Sequence, residues 1–410
     1  MTTQDEGRRI EPDLRAPLAQ SVPISLAITF AIQTLVAFAV YCAPVMAPVA
    51  GPALGFSPAA VGYYIAASYL GSMLGSAAAG GWVARFGPIR VSQAGLALCC
   101  CGLALAASGT PWVVMLGGFI VGLGYGPTTP ASSSILVHTP RKYFSLIFSI
   151  KQTGVPAGGA LAGLLVPTLI LAFGWQWGAM VIGGACLALA IGIGGVRAHY
   201  DRDLDPRAPV SLRSAAAPVR LVLADRRLRA LCVAGFVYGG VQITLVTFLV
   251  TFLVESFGLS LVLAGLVMAV AQIASVTGRV VWGILADRVL RRRTMLGLLG
   301  IGMGLSALAA LSAGPHWPLW LLFAYASVFG ATAVGWNGVY LAEVARLAPE
   351  GSASAATGGA LFFTFLGVVI TPLTFNAVLA LAGSYAVAYA VFAAPALAVG
   401  IWLLARMPQR

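Results

Sequence analysis

Between residues 23 and 405 the sequence is a succession of apolar runs, each about as long as a bilayer is thick. A helix advances ~1.5 Å per residue, so about 20 apolar residues cross a hydrocarbon core about 30 Å thick. Twelve runs reach that length: 23–48, 58–83, 92–109, 112–137, 142–172, 176–196, 229–254, 260–286, 294–313, 318–344, 353–382 and 385–405. Of the 410 residues 60% are hydrophobic and 9% charged. An ordinary soluble domain carries about 25% charge, and no soluble fold buries so much apolar surface. The alternating segments of about ten residues that build a membrane barrel are absent. Within hydrocarbon every backbone N–H and C=O needs a partner inside the chain, which a helix supplies. The reading is an all-α integral membrane protein.

The net charge of +12 is no nucleic-acid footprint, because the basic residues form neither one face nor one arm. They fall in alternate connections: Arg85 and Arg90, Arg141 and Lys142, Arg197 to Arg229, Arg288 to Arg293, Arg346, and both termini. The intervening connections, 49–57, 110–111, 173–175, 255–259, 314–317 and 383–384, hold no Lys or Arg. By the positive-inside rule the first set is cytoplasmic, which places both termini inside a multi-pass protein of a cell (inner) membrane. Residues 1–22 are too charged for a signal peptide and read, with 406–410, as cytoplasmic tails. The long polar interruption 197–228 is a cytoplasmic linker between two six-helix bundles, 23–196 and 229–405.

The two halves echo one another. GGWVARFGPIR (80–90) follows span 2, and GILADRVLRRR (283–293) follows span 8. Repeats of this kind build many transporters, with substrate sites near the midplane between them. Gly283-x-Leu285-Ala286-Asp287-Arg288 with Arg291-Arg292-Arg293 resembles the loop signature G-x-L-A-D-R-x-G-R-[RK] of the major facilitator superfamily. Leu290 replaces the second glycine, and in the first copy Ala84 stands where the family usually has its acid, while Gly80, Arg85 and Gly87 match. With twelve spans and a central loop the resemblance covers the whole chain. It implies a carrier whose halves rock around a central site, with the loop acid helping to close the cytoplasmic side. Asp287 is the acid available for that gate. Its expected partners are the start of helix 5, where Pro140 suits a first turn and free N–H groups favour an anion, and Arg346. Arg288 and Arg85 belong to the same two loops.

All but two of the 24 Lys and Arg residues are accounted for by loops and tails; the exceptions are Lys151 and Arg279. Counting along helices 5 and 8 puts them about 14 Å and about 11 Å from the same membrane face, close to mid-bilayer. A cation at that depth costs roughly 2.5–3.5 kcal/mol on insertion scales. Lys151, Gly154, Gly158 and Ala162 share one helical face, and Gln272, Ser275, Arg279 and Gly283 another. Small residues explain close packing but not the charges. No carboxylate in the sequence falls at the midplane: Glu255 ends helix 7 outside, and Glu343 lies near the inner end of helix 10. Two buried cations without a counter-ion point to a substrate that supplies the charge, Arg279 as a bidentate fork and Lys151 as a point charge. Backbone carbonyls or Glu343 as structural partners are the bland alternative. The pattern Arg279-x-x-x-Gly283 resembles that of monocarboxylate porters and the oxalate–formate exchanger, where a helix 8 arginine binds the carboxylate. The exchanger's second cation is a helix 11 lysine; this chain offers Lys151 on the pseudo-symmetric helix 5 instead.

In GLGYGPTTPASSS (122–134) Pro127 and Pro130 each remove a backbone donor, so a broken helix 4 lining a cavity is expected, with Tyr125, Thr128 and Thr129 toward substrate. Further substrate-binding candidates are Gln33 on helix 1, Tyr238 and Gln242 on helix 7, and Asn337 on helix 10, each equally readable as an interhelical hydrogen bond. The six cysteines lie in spans and read as packing residues, and His138, His199 and His316 are scattered, so no metal set is expected. The glycine-rich runs 122–126 and 300–304 follow no strand, which removes the nucleotide-binding reading. An enzyme would want a nucleophile–base pair or a metal at one membrane face, and none is present. The function expected is therefore secondary active transport of a small anion, an organic carboxylate, by alternating access, as symport or antiport. The expected partners are that anion, with room for a co-transported proton, and the lipid bilayer; no cofactor enters, and a monomer is expected. The alternative is proton-coupled efflux of lipophilic drugs or other solutes. Such exporters often keep an acid in helix 1 or 4, and this sequence has none there.

Overall fold

A computed structural model describes residues 22–136, 147, 150–202, 204–208, 216–350 and 352–405. Among these there is no strand. α1 is Val22–Ala53, α2 Val61–Phe86, α3 Pro88–Ala106 and α4 Pro111–Leu136. The stretch Gly154–Gly192 is broken at Gly174, whose φ of 80° suits only glycine, into α5 (154–173) and α6 (175–192). The expected beginning of helix 5, near Pro140 and Lys142, lies outside the described residues. The second half holds α7 Arg226–Phe257, α8 Leu261–Arg288, α9 Arg292–Ala309, α10 Leu319–Leu347, α11 Ala353–Ala382 and α12 Tyr385–Ala405.

Among the described residues ten helical stretches are long and apolar enough to cross a membrane. One of them, Ile150–Tyr200, has 51 residues, about 76 Å of helix and more than twice a hydrocarbon core. The break at Gly174 makes it two crossings. α2 is diluted by serine, glycine and tyrosine yet has 26 residues and is embedded in the bundle, which completes twelve.

The same pairing recurs in each half. α1 packs on α5, α2 on α4 and α3 on α6; α7 packs on α11, α8 on α10 and α9 on α12. The halves meet along α5–α8 and its pseudo-symmetric counterpart α2–α11, with α1 against α7. Glycine makes the α5–α8 seam possible, since a Cβ at Gly163 or at Gly265 would strike the carbonyl of the other. Near the end opposite the arginine-rich loops, Gly62 faces Asn376 and Phe248; near mid-span, Tyr69 and Phe365 lie 6.4 Å apart between ring centres. At the basic end, positions Gly80, Gly283 and Gly358 have no neighbouring atom within 4 Å of where a Cβ would stand.

Two features depart from the sequence reading. α4 runs through Pro127 and Pro130 without a break, and hydroxyls of the same turns bond its own backbone: Thr128 donates to Tyr125 O, Ser132 to Thr128 O, and Ser133 to Thr129 O. The interrupted helix is α10, whose α-helical ladder lapses into a turn at residues 334–336, between Leu319–Ala333 and Asn337–Leu347. Trp282 of α8 donates to Ala331 O at 2.8 Å and satisfies a carbonyl that this break frees.

The chain after α6 is fastened to the first half. The Tyr200 hydroxyl is 2.7 Å from Ser25 Oγ, and Asp205 N donates to Ala84 O. Asp201 accepts from Ile89 N at 2.9 Å and Arg90 N at 3.2 Å, capping α3 beside Gly87, where a side chain would collide with it. Burial pushes the Asp201 carboxyl up from its ordinary value, while these two amide bonds and Arg197 and Arg90 oppose the rise. A short helix, Ala216–Ala224, lies on α11 of the second half, with Gly359 against the Pro218 carbonyl and Val222 fully buried.

Candidate functional site

The site forms where α5, α8 and the break in α10 converge. Arg279, half-buried on α8, reaches both halves: Nη1 donates to Gln152 O, just ahead of α5, at 3.1 Å and Nε to Val334 O in the α10 break at 3.3 Å. Two backbone carbonyls leave most of its five N–H donors uncommitted. No carboxylate among the described residues pairs with it, since Asp287 bonds Arg292 at 2.9 Å, Glu343 bonds Arg346, and Glu255 accepts the Tyr385 hydroxyl at 2.6 Å.

Around Arg279 lie groups from both halves. Gln242 of α7 accepts from Asn337 Nδ2 at 2.9 Å and Trp336 Nε1 at 3.0 Å, and Asn337 lies 3.5 Å from Val334 O. Gln242 and Asn337 thus stand together at the α10 break, linked to Arg279 through Val334. On the other side Tyr41 and Tyr125 lie within electrostatic range of the guanidinium. The Tyr41 hydroxyl is 3.2 Å from that of Tyr69, which sets its ring edge-on to Tyr125 at 6.1 Å. Tyr41 and Tyr69 were not singled out from sequence. The signal available was a phenolic hydroxyl at mid-span on α1 and α2, where a polar group needs a partner.

Lys151 is fully buried, and its ammonium turns toward α4, donating to Thr129 O at 3.0 Å and Ser133 Oγ at 3.2 Å. It stands next in sequence to Gln152, whose carbonyl Arg279 grips from α8, so the two cations meet neighbouring residues just ahead of α5 rather than facing one another from opposing walls. Gln33 is also fully buried; its Oε1 accepts from Thr129 Oγ1 at 3.1 Å while Nε2 has no protein partner. Gly154 and Gly158 pack on α1, against Gln33 and Thr34, and Gly159 faces Gln272 of α8. The two small-residue faces read from the sequence therefore serve different neighbours.

Two expected ligands are turned elsewhere. Thr128 faces α3, its methyl against Gly95, and Thr129 takes the inward position. Tyr238 is buried within the second half, donating to Leu296 O of α9 at 3.0 Å and packing edge-on to Trp336. At the basic end the expected Asp287–Arg346 pair is not formed. Asp287 is 61% exposed and holds Arg292, while Arg346 makes two bonds, at 2.6 and 2.7 Å, to the buried Glu343. Arg288 and Arg85 are exposed, the latter 5.5 Å over the Phe86 ring. Among the described residues no group of His, Cys, Asp or Glu is arranged to hold a metal.

The Major Facilitator Superfamily model matches residues 29–372. A probable sulfoacetate transporter of Cupriavidus necator is 24% identical over 345 residues, 75% of each chain. The crystal structure of the nucleoside transporter NupG aligns with a TM-score of 0.75 at 16% identity, over 94% of this chain and 99% of that one. A D-xylose–proton symporter gives 0.73 at 15% identity, over 95% and 98%. A peptide transporter POT in complex with sulfate gives 0.74 at 18%, over 93% and 94%. At these identities the structures share a fold.

Proposed function

Because the chain belongs to the Major Facilitator Superfamily, and is with it a multi-pass membrane transporter, we propose that it carries a small organic anion bearing a carboxylate. Arg279 is the observation that supports this reading. A guanidinium at the seam of the two halves, bound to two backbone carbonyls and to no acid among the described residues, is costly unless an anion shares it. The fork suits a carboxylate or sulfonate, Asn337 and Gln242 can align it from the second half, and Tyr41 and Tyr125 stand near the guanidinium from the first. Lys151 adds positive potential from behind Gln152, its ammonium turned to Thr129 and Ser133 in this conformation. Sulfoacetate, named for the Cupriavidus necator relative, carries one carboxylate and one sulfonate, either of which suits the Arg279 fork.

In this reading the bundles 23–196 and 229–405 rock about the site, the arginine-rich end faces the cytoplasm of an inner-membrane monomer, and both termini lie there. The seam contacts at the opposite end and the open surroundings of Gly80, Gly283 and Gly358 fit a carrier open toward the basic end. Asp287, freed from Arg292, serves the gate when that end closes, with Arg85, Arg288 and Arg346 around it. A co-transported proton or a counter-anion completes the cycle.

Uptake into proteoliposomes across carboxylates, sulfonates, neutral sugars and lipophilic cations tests the proposal. At least one carboxylate or sulfonate should accumulate in wild type and fail to do so in Arg279→Gln. Transport confined to neutral or cationic solutes, or unchanged anion uptake in Arg279→Gln, overturns it.

A further inference from the structure

A cavity of about 380 Å³ lies away from the Arg279 site, at the basic end of the first half. Its origin is in the packing. α2 and α3 each press onto α4, through Gly75 against Pro127 and Gly95 against the Gly124 carbonyl, while touching one another little. They therefore diverge above α4 and leave a groove. Trp82 and Phe86 form its α2 wall, Val91 and Leu98 its α3 wall, and Leu123 and Pro127 its floor. From residue 90 to residue 98 the α3 wall descends about 12 Å along the helix.

The groove is apolar within and basic at its mouth. Arg90 lines the rim and is exposed, and Arg85, also exposed, lies over the ring of Phe86. Asp201 faces this rim but is occupied by the Ile89 and Arg90 amides, and Asp205 is exposed and turned on the Arg207 amide. Arg197, Arg202 and Arg207 stand on the same stretch, so positive charge exceeds negative. An apolar channel running inward from the polar boundary, with arginines at its entrance, has the complementarity of an acyl chain carrying an anionic headgroup. Basic pockets between membrane helices are a recognised setting for anionic lipids, each basic residue contributing about fivefold in affinity.

We propose that the α2–α3–α4 groove binds an anionic phospholipid, one acyl chain between Trp82 and Leu98 and the phosphate at Arg90 and Arg85. The site is independent of the transported substrate. The first repeat loop carries Ala84 in place of an acid, so no carboxylate at that position repels the phosphate.

Trp82 is a built-in probe. The protein is reconstituted in phosphatidylcholine containing a minor fraction of bromine-labelled lipid, either phosphatidylglycerol or phosphatidylcholine. Quenching of Trp82 is read as the difference between wild type and Trp82→Phe, which removes the other tryptophans from the signal. Brominated phosphatidylglycerol should quench Trp82 at severalfold lower mole fraction than brominated phosphatidylcholine. The preference should fall about fivefold in Arg90→Gln and again in Arg85→Gln/Arg90→Gln, survive in Arg90→Lys, and shrink as salt is raised. Quenching by brominated phosphatidylcholine should stay the same in all variants, which shows the groove intact. Equal quenching by the two lipids in wild type overturns the proposal, because any lipid of the annulus then suffices. A preference that persists at full size in the double variant or in high salt overturns it equally. If Arg90→Gln cannot be purified folded, Arg85→Gln and the salt series decide by the same criteria.

Discussion

Adding one methyl group at Gly163 should shift this carrier between its conformations. In the present state a Cβ there would stand 2.9 Å from Ala269 N and 3.2 Å from the Ala269 methyl, and would collide with the Gly265 carbonyl. Ordinary contacts of that kind are about 3.5–4.0 Å, so α5 and α8 must part by more than half an ångström. Overpacking of this order costs about 1–3 kcal/mol, provided the site cannot relax. If the seam at this end opens in the opposite-facing state, that state escapes the cost. The ratio of the two populations then moves about five- to a hundredfold in its favour. Spin labels at Phe56→Cys and Leu381→Cys, exposed positions of the first and second half, would read the distance in a variant without native cysteines. Gly163→Ala should enlarge a longer-distance population that substrate or detergent conditions reveal only weakly in wild type. An unchanged distribution in a protein whose melting temperature is also unchanged refutes the reasoning, since the methyl would then have been absorbed locally.

Three further outcomes follow from the contacts. Loss of a charge-assisted contact is worth roughly 1.5–3 kcal/mol, so Arg279→Lys, which keeps the charge and loses the fork, should weaken anion binding about tenfold or more by calorimetry. Lys151→Gln should weaken it less, because that ammonium is turned to Thr129 and Ser133; the reverse order would show that Lys151 is the primary ligand. Asp201→Ala removes the cap on α3 and should cost about 0.5–2 kcal/mol, read as a lower melting temperature, and an unaltered melting curve would mean that the α2–α3 loop holds itself. Leu204→Cys should resist an impermeant thiol reagent applied to intact cells, while ready labelling would invert the orientation.

What the sequence could disclose depended on distance along the chain. Span lengths and the alternation of basic loops are local, and α11 and α12 begin and end where the apolar runs do. The interruption of α10 was hidden because no proline marks it. Gly335 lies in a chain with 49 glycines, and what stabilises the break is Trp282 and Arg279 donating from another helix. The prolines of α4 misled for the converse reason, since each removes one backbone donor and yet α4 runs on through both. Arg279 was legible as a charge out of place, whereas its partners were not, since Gln152 and Val334 offer only backbone oxygens that every residue possesses. Tyr238 looked like a cavity hydroxyl and is instead committed to Leu296 O, 58 residues away. Polar atoms at mid-span announce that a partner exists, and only the fold says which one.

The docking of both ends of the linker sets a limit on motion. Residues up to Ala208 are fastened to the first half and those from Ala216 to the second, leaving eight virtual bonds between the two anchorages. A chain of that length reaches at most about 29 Å even when fully drawn out. The connection is therefore a leash of fixed length, and while both anchorages hold, the arginine-rich ends of the two bundles can separate only as far as it allows. Whatever the halves do elsewhere, a cargo too large to pass within that span has no route through this end.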